Sequence, residues 1–244
     1  MIPSVAVTVD GGLVTGVPDR VLAVYAHPDD PDISCGGTLA RWAAAGCAVT
    51  VVLCTRGEKG SLDPAADPSE LAALRTEEGA AADRALALPA RSILGFGDGE
   101  IDEAQLRATL VGEIRRVRPD VLLCPDPTAV FFGNHYMNHR DHRTVGWAAL
   151  DAASPAAAAP LYFPEAGPAH QVGAVLMSGT LTVDAWVDVS STLDAKIAAV
   201  TCHRSQLRDD PDAIAAAVRR RGEEAGRQAG VGAAEGFRYL RLAG

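Results

Sequence analysis

The chain has 244 residues, a formal net charge of −9 and a hydrophobic fraction of 48%. That length fits one large domain or two small ones and lets roughly 70–75% of the unfolded surface be buried. The acidic balance, with Lys59 and Lys196 the only lysines, argues against a nucleic-acid partner. No run nears the roughly 18 apolar residues of a membrane span. Met1–Arg20 lacks the basic-then-apolar order of a signal peptide. Aromatics are only 5%, so the core is built of Ala, Val and Leu, as suits helices packed closely on a sheet.

Val21–Ala26 is a short apolar run, expected as a buried strand. Gly36–Gly46 is expected as a helix closed by glycine. Ala48–Cys54, β-branched and continuous, predicts a second buried strand. After a loop rich in Gly, Pro and Asp, Ser69 is placed to cap a helix to about Leu86. Ser92–Leu94 is a third strand, followed by the turn Gly95-Phe96-Gly97-Asp98-Gly99. Leu106, Leu110, Ile114 and Val117 recur at helical spacing within Glu103–Arg118, before Pro119. Val121–Cys124 is a fourth strand, and a helix starts at Asp141 or His142. Ser154–Pro168 is an Ala/Pro-rich connection, and Thr182–Val189 alternates like an exposed strand. Helices over Ser191–Cys202 and Pro211–Arg227 and a last strand over Phe237–Leu242 complete the chain. Arg219-Arg220-Arg221, followed by Glu223-Glu224, reads as a solvated helix face.

The alternation of strand and helix over the first 150 residues predicts a Rossmann-like, doubly wound α/β fold, its mostly parallel sheet covered by helices on both faces. No linker or repeat divides it. A single domain over 1–244 is expected, with 1–150 carrying the site and 151–244 completing the pocket. The five cysteines, Cys35, Cys47, Cys54, Cys124 and Cys202, are odd in number and form no C-x-x-C pair. They read as reduced thiols of a cytoplasmic protein.

Two polar clusters follow expected strands: Ala26-His27-Pro28-Asp29-Asp30 after the first, and His135-Tyr136-Met137-Asn138-His139-Arg140-Asp141-His142 after the fourth. In an open parallel sheet ligands bind beyond the carboxyl ends of the strands, where strand order reverses. In doubly wound orders the first and fourth strands are neighbours, so the clusters should converge. Pooled, they offer His, Asp and His ligands with spare carboxylates. A catalytic metal takes three protein ligands and keeps a position open. It lowers the pKa of a bound water to about 7. A carboxylate base beside it is worth about 10²–10⁴-fold in rate. Pro28 stiffens the turn that presents His27 and Asp30.

His27-Pro28-Asp29-Asp30, Gly36-Gly37-Thr38, Thr55-Arg56-Gly57-Glu58, Arg75-x-x-Glu78, His139-x-Asp141-His142 and the late His203-Arg204-Ser205-Gln206 together resemble the PIG-L (LmbE-like) zinc-dependent N-deacetylase family. The resemblance runs from about Val21 to Leu207. It implies His27, Asp30 and His142 as ligands of Zn²⁺, with Fe²⁺ suited to the same set. It implies Asp29 as general base, His139 as oxyanion stabiliser and Asp141 as the carboxylate that holds a histidine tautomer. Arg75, Asp98 and His203 are implied as substrate contacts. The implied substrate is a small N-acetylated amino sugar or its conjugate, without nucleic acid or membrane, in a homo-oligomer such as a trimer or hexamer. This chain has Arg140 where the family usually carries proline.

Each signal has a plainer counterpart. His27-Pro28-Asp29-Asp30 alone reads equally as a turn with capping aspartates. Arg75 and Glu78 read as a surface helix pair, Asp98 as an ordinary turn aspartate, His135 as a loop residue and His170 as exposed. Two other functions are kept in view. One is a sugar-nucleotide transferase using Asp29, Asp30 and Asp32 on Mg²⁺ or Mn²⁺. The other is a non-catalytic, metal-bound sugar-binding module.

Overall fold

The computed structural model describes residues 7–207 and 210–242; part of the stretch read for a leader falls outside them. The elements are β1 (Thr8–Asp10), β2 (Leu13–Thr15), β3 (Arg20–Tyr25), α1 (Asp30–Ala44), β4 (Ala48–Leu53), α2 (Pro68–Ala85), β5 (Ser92–Ile93), α3 (Glu103–Val117), β6 (Val121–Pro125), β7 (Phe131–Phe132), β8 (Tyr136–Met137), α4 (Arg140–Asp151), β9 (Ala174–Ser178), β10 (Ala185–Asp188), α5 (Leu193–Val200), α6 (Pro211–Ala229) and β11 (Ala234–Arg241). Nine strands form one sheet in the order β1-β2-β10-β11-β9-β6-β3-β4-β5, and β7 and β8 form a separate hairpin. From β9 to β5 every pairing is parallel. Strand β11 runs antiparallel to both of its neighbours.

Both faces of the central strands are buried, which accounts for their continuous apolar runs. Val21, Ala23 and Tyr25 pack against Leu39 and Trp42 of α1 on one face. Leu22, Val24 and Ala26 pack against Leu106, Leu110 and Ile114 of α3 and Val145 of α4 on the other. Helix α2 forms an outer layer, with Ala82 and Leu86 against Ala40 and Ala199. The chain moves from β3 outward through β4 and β5, then crosses back to β6 on the other side of β3. The reversal of order expected for the site therefore falls between β3 and β6.

Several expected boundaries move. Helix α1 starts at Asp30, but Cys35 (φ −145°, ψ 18°) breaks it into a first turn and a main piece. The main piece matches the helix expected from Gly36. The break frees the N–H groups of Gly37 and Thr38, and both donate to the buried carboxylate of Glu235 on β11. Lys196 of α5 pairs with that carboxylate in the core. A Cβ on Gly37 would lie 2.9 Å from Cβ of Val189, so the close approach requires glycine here. Asp67, not Ser69, caps α2, its carboxylate accepting from the N–H groups of Ser69 and Glu70.

Three elements were not expected from the sequence: the β1–β2 hairpin, the β7–β8 hairpin and β9. Strand β9 is fully buried and lies between β6 and β11. The strand expected as exposed over Thr182–Val189 is the half-buried β10. The last strand starts earlier, at Ala234, because Glu235 must reach α1. All five cysteines are free. No described helix is long and apolar enough to cross a membrane.

Removing one member of a buried ion pair strands its partner's charge, at about 3–5 kcal/mol. Lys196→Met should lower unfolding free energy by that amount in urea titration. A change below 1 kcal/mol would mean that the pair does not hold α1 to β11.

Candidate active site

The turn after β3 is closed from both sides. The Asp30 N–H donates to the His27 carbonyl (3.3 Å), and the His27 N–H donates to Asp30 Oδ2 (2.8 Å). Asp29 is the residue before α1, yet its side chain caps nothing. That departs from the plainer reading of capping aspartates and leaves this carboxylate for the cavity. On the β6 side, residues 126–139 and the β7–β8 hairpin intervene before α4, so the second cluster does not follow its strand directly. His139 is the N-cap of α4, its Nδ1 accepting the Asp141 N–H at 3.2 Å. His142 lies one turn further along the same face.

Residues 115 apart in sequence converge here. His27 Nδ1 lies 3.2 Å from His142 Nε2. Asp30 Oδ1 lies 3.1 Å from His142 Nε2, and Asp30 Oδ2 3.4 Å from His27 Nδ1. Each imidazole is engaged on its outer nitrogen. Asp98 Oδ1 accepts from His27 Nε2 (3.2 Å), with Asp141 Oδ2 behind it at 3.7 Å. Asn138 Oδ1 accepts from His142 Nδ1 (3.0 Å). With the outer nitrogens donating, both inner nitrogens present lone pairs to one point beside a carboxylate. Tetrahedral ligands about 2.0–2.1 Å from a common centre stand about 3.4 Å apart, so the spacing fits a metal ion. His27, Asp30 and His142 are thus a group that could hold a metal ion, and three protein ligands would leave a position open.

The electrostatics follow from this crowding. Burial disfavours a charged His27, but Asp30, Asp141 and Asp98 outweigh it and raise its pKa well above the ordinary value. His142 is raised in the same way, burial opposing and Asp30 prevailing. Burial pushes the Asp98 carboxyl up, yet His27 and the Lys59 N–H hold it at about 2. His139 is lowered, first by burial and then by His27. Because Nδ1 of His139 is an acceptor, the neutral ring carries its proton on Nε2.

A cavity of about 420 Å³ opens over the cluster, lined among others by His27, Asp29, Arg75, His139, Tyr136 and Gln206. Arg75, 3% exposed, donates to Asp29 Oδ1 (2.9 Å) and to the Gly57 carbonyl (2.9 Å). A Cβ on Gly57 would collide with that guanidinium, and its φ is +67°. Thr55 and Glu58 of Thr55-Arg56-Gly57-Glu58 brace the site as well. The Thr55 hydroxyl donates to the Ala26 carbonyl, and Glu58 accepts from the Asp98 N–H.

One of the expected substrate contacts sits elsewhere. His203 is 1% exposed and donates from Nε2 to Asp32 Oδ2 at 2.6 Å, behind the metal-site turn rather than in the cavity. Asp98 lines the cavity, as a substrate contact would, and its Oδ1 also accepts from His27 Nε2. Glu78 pairs not with Arg75 but with the Ser205 N–H and hydroxyl, clamping residues 203–206. Arg140 occupies the first position of α4, where proline is also tolerated, and donates to the Gly99 carbonyl. His135 is an exposed loop residue, whereas His170, expected as exposed, is half-buried on the Pro119 carbonyl.

Sequence reasoning passed over three contributors. Asn138 stands four residues before His142, a spacing that could have flagged it. Tyr136 enters through the unexpected hairpin. Arg91 ties Asp32 (3.1 Å), Asp83 (2.7 Å) and the Pro28 carbonyl (2.6 Å) together. No sequence motif marks it.

A histidine–carboxylate cluster able to hold a metal ion at the carboxyl ends of a parallel sheet, with a second carboxylate beside it, fits a metal-dependent hydrolase. The family model described as PIG-L, GlcNAc-PI de-N-acetylase, matches residues 22–153. A diacetylchitobiose deacetylase of Thermococcus kodakarensis is 33% identical over 78% of this chain and 71% of its own length. A 1D-myo-inositol 2-acetamido-2-deoxy-alpha-D-glucopyranoside deacetylase of Rhodococcus erythropolis is 34% identical over 63% of this chain and 58% of its own. The structure of an N,N'-diacetylchitobiose deacetylase from Pyrococcus horikoshii superposes with a TM-score of 0.82 at 27% identity, covering 92% of this chain and 84% of that one. The chain belongs to the PIG-L de-N-acetylase family.

Two predictions follow from the geometry. Gly57→Ala should displace Arg75 and cut turnover at least tenfold with the fold intact by circular dichroism; full activity would separate Arg75 from the site. The raised pKa values of His27 and His142 mean that protons compete with a metal above the ordinary value of about 6.5. Affinity for Co²⁺, read by its absorbance, should therefore fall as pH drops through neutrality, by about tenfold per pH unit for each imidazole titrated. A pH-independent affinity down to pH 5 would contradict this ligand set.

Proposed function

We propose that this chain is a zinc-dependent hydrolase that removes an N-acetyl or related N-acyl group from an amino sugar or amino-sugar conjugate. The observation that carries the reading is the convergence of His27, Asp30 and His142 beside the uncapping Asp29 carboxylate, in a de-N-acetylase family member. The two imidazoles with one carboxylate favour Zn²⁺ over an oxygen-seeking ion. Bound there, the ion supplies Lewis acidity for the amide carbonyl and lowers the pKa of water toward neutrality.

The chain's own groups do the rest. Arg75 holds Asp29 by Oδ1. The other oxygen of Asp29, which accepts no hydrogen bond among the described residues, takes a proton from the attacking water. Asp29 then returns it to the departing nitrogen, making the amine a leaving group. His139 donates its Nε2–H to the carbonyl oxygen as negative charge builds there. Asp98 and Asp141 keep His27 in the tautomer that exposes Nδ1. The strand order β5-β4-β3-β6-β9 with helices on both faces supports the Rossmann-like reading, and one continuous sheet supports a single domain. The free cysteines support a reducing, cytoplasmic setting.

The transferase reading loses a carboxylate, because Asp32 is buried and committed to Arg91 and His203. The sugar-binding reading leaves Asp29 and its Arg75 clamp without a task. Incubation with N-acetylglucosamine and its conjugates, with and without a chelator, should release free amine only when metal is present. Asp29→Asn should keep stoichiometric metal by elemental analysis and lose about 10²–10⁴-fold in turnover. An unchanged rate would remove Asp29 as the base.

A further inference from the structure

The run Arg219-Arg220-Arg221, which the sequence presents as a solvated face, is divided by the 100° step of the helix. Arg219 pairs with Asp194 at 2.7 Å. Arg220 and Arg221 both line an outer groove beside Glu223 and Glu224. Arg221, exposed at the rim, also lines a cavity of about 730 Å³ that shares Asp29, Asp30, Tyr136 and His142 with the cavity over the metal site. Its position is set by close packing. A Cβ on Gly222 would lie 2.9 Å from Leu193 Cδ1, and one on Gly226 2.7 Å from Ala233 Cα. These glycines let α6 lie against α5 and the start of β11, which brings Arg221 to the rim of the cavity.

Among the described residues, no carboxylate lies within ion-pair distance of Arg221, and its guanidinium makes no hydrogen bond. The acids on the cavity floor are already engaged: Asp29 by Arg75, Asp30 by His27 and His142. The walls between are mixed, with Phe132 and Ile33 apolar and Ser34 and Ser178 polar. An unpaired guanidinium on a concave wall matches a planar carboxylate or a phosphate, to which it can offer two parallel donors.

We propose that this inner cavity takes the group attached to the amino sugar, and that Arg221 selects conjugates in which that group is anionic, a carboxylate or a phosphate. The inference rests on the deacetylase reading and names its substrate class. The N-acyl sugar lies over the metal site, and its substituent extends past Tyr136 toward α6.

The test compares three N-acetylglucosamine conjugates: the neutral methyl glycoside, the glycolic-acid glycoside and the 1-phosphate. Both kcat/KM and equilibrium affinity, by calorimetry on the metal-loaded protein, are measured. The wild type should prefer one or both anionic conjugates by about 10- to 100-fold, the range of a charge-assisted hydrogen bond. The better of the two identifies the anion. Arg221→Gln should abolish that preference, the loss falling in KM rather than kcat. Arg221→Lys should keep part of it, and Arg221→Glu should reverse it. Equal binding of neutral and anionic conjugates, or an anionic preference that survives in Arg221→Gln, would overturn the proposal. Charge-selective binding without release of amine would leave this inference standing and sink the deacetylase reading. Release of amine with no charge preference would do the opposite.

Discussion

Two imidazole nitrogens held 3.2 Å apart, with a carboxylate against both, are the constraint on which the rest of the structure depends. Like donors do not approach so closely without a cation or a shared proton between them, and the surroundings are arranged to keep them there. Asp98 and Asp141 hold His27 from behind, and Asn138 holds His142. Those supports come from the turn after β5, from α4 itself and from the loop before it. The pair therefore exists only when β3, β5 and β6 are in register.

A further set of buried charges fixes the turn that carries the ligands. Arg91 joins Asp32, Asp83 and the Pro28 carbonyl, and His203 closes on Asp32 from the far side. Glu235 satisfies the N–H groups exposed where α1 breaks at Cys35, and Lys196 balances it. Such pairs add little net stability over apolar packing, but removing one member is costly. Their effect is geometric: the first turn of α1 can bear Asp29 and Asp30 at an angle that a continuous helix would not allow. The C-terminal third of the chain thus shapes the site through Glu235 and His203 while supplying none of the metal donors.

Much of this was legible in the sequence. The continuous apolar runs of β3, β4 and β6 marked buried parallel strands, and the neighbourhood of the first and fourth strands followed from topology alone. The ligand residues were legible because His and Asp clustered at the ends of those strands. What escaped had weak local signals. Strand β9 is a five-residue apolar run flanked by Gly173 and Gly179, short enough to pass for connection. The β7–β8 hairpin has two residues per strand. Arg91 carries no pattern, and no pattern tells that His203 closes on Asp32, since Asp32 lies 59 and 171 residues away from them.

By itself, then, the sequence determined the class of fold, the family and the residues able to hold a metal, because strand burial and ligand chemistry are written in short, local patterns. Only the tertiary structure decided what each remaining polar residue does. It set Asp98 against His27, buried His203 behind the turn, set Arg75 on Asp29 and brought Arg221 to the rim of a second cavity. Those assignments depend on which partner a side chain meets after folding. Meetings across many tens of residues are set by the register of strands and the depth of helix packing, which no local pattern records.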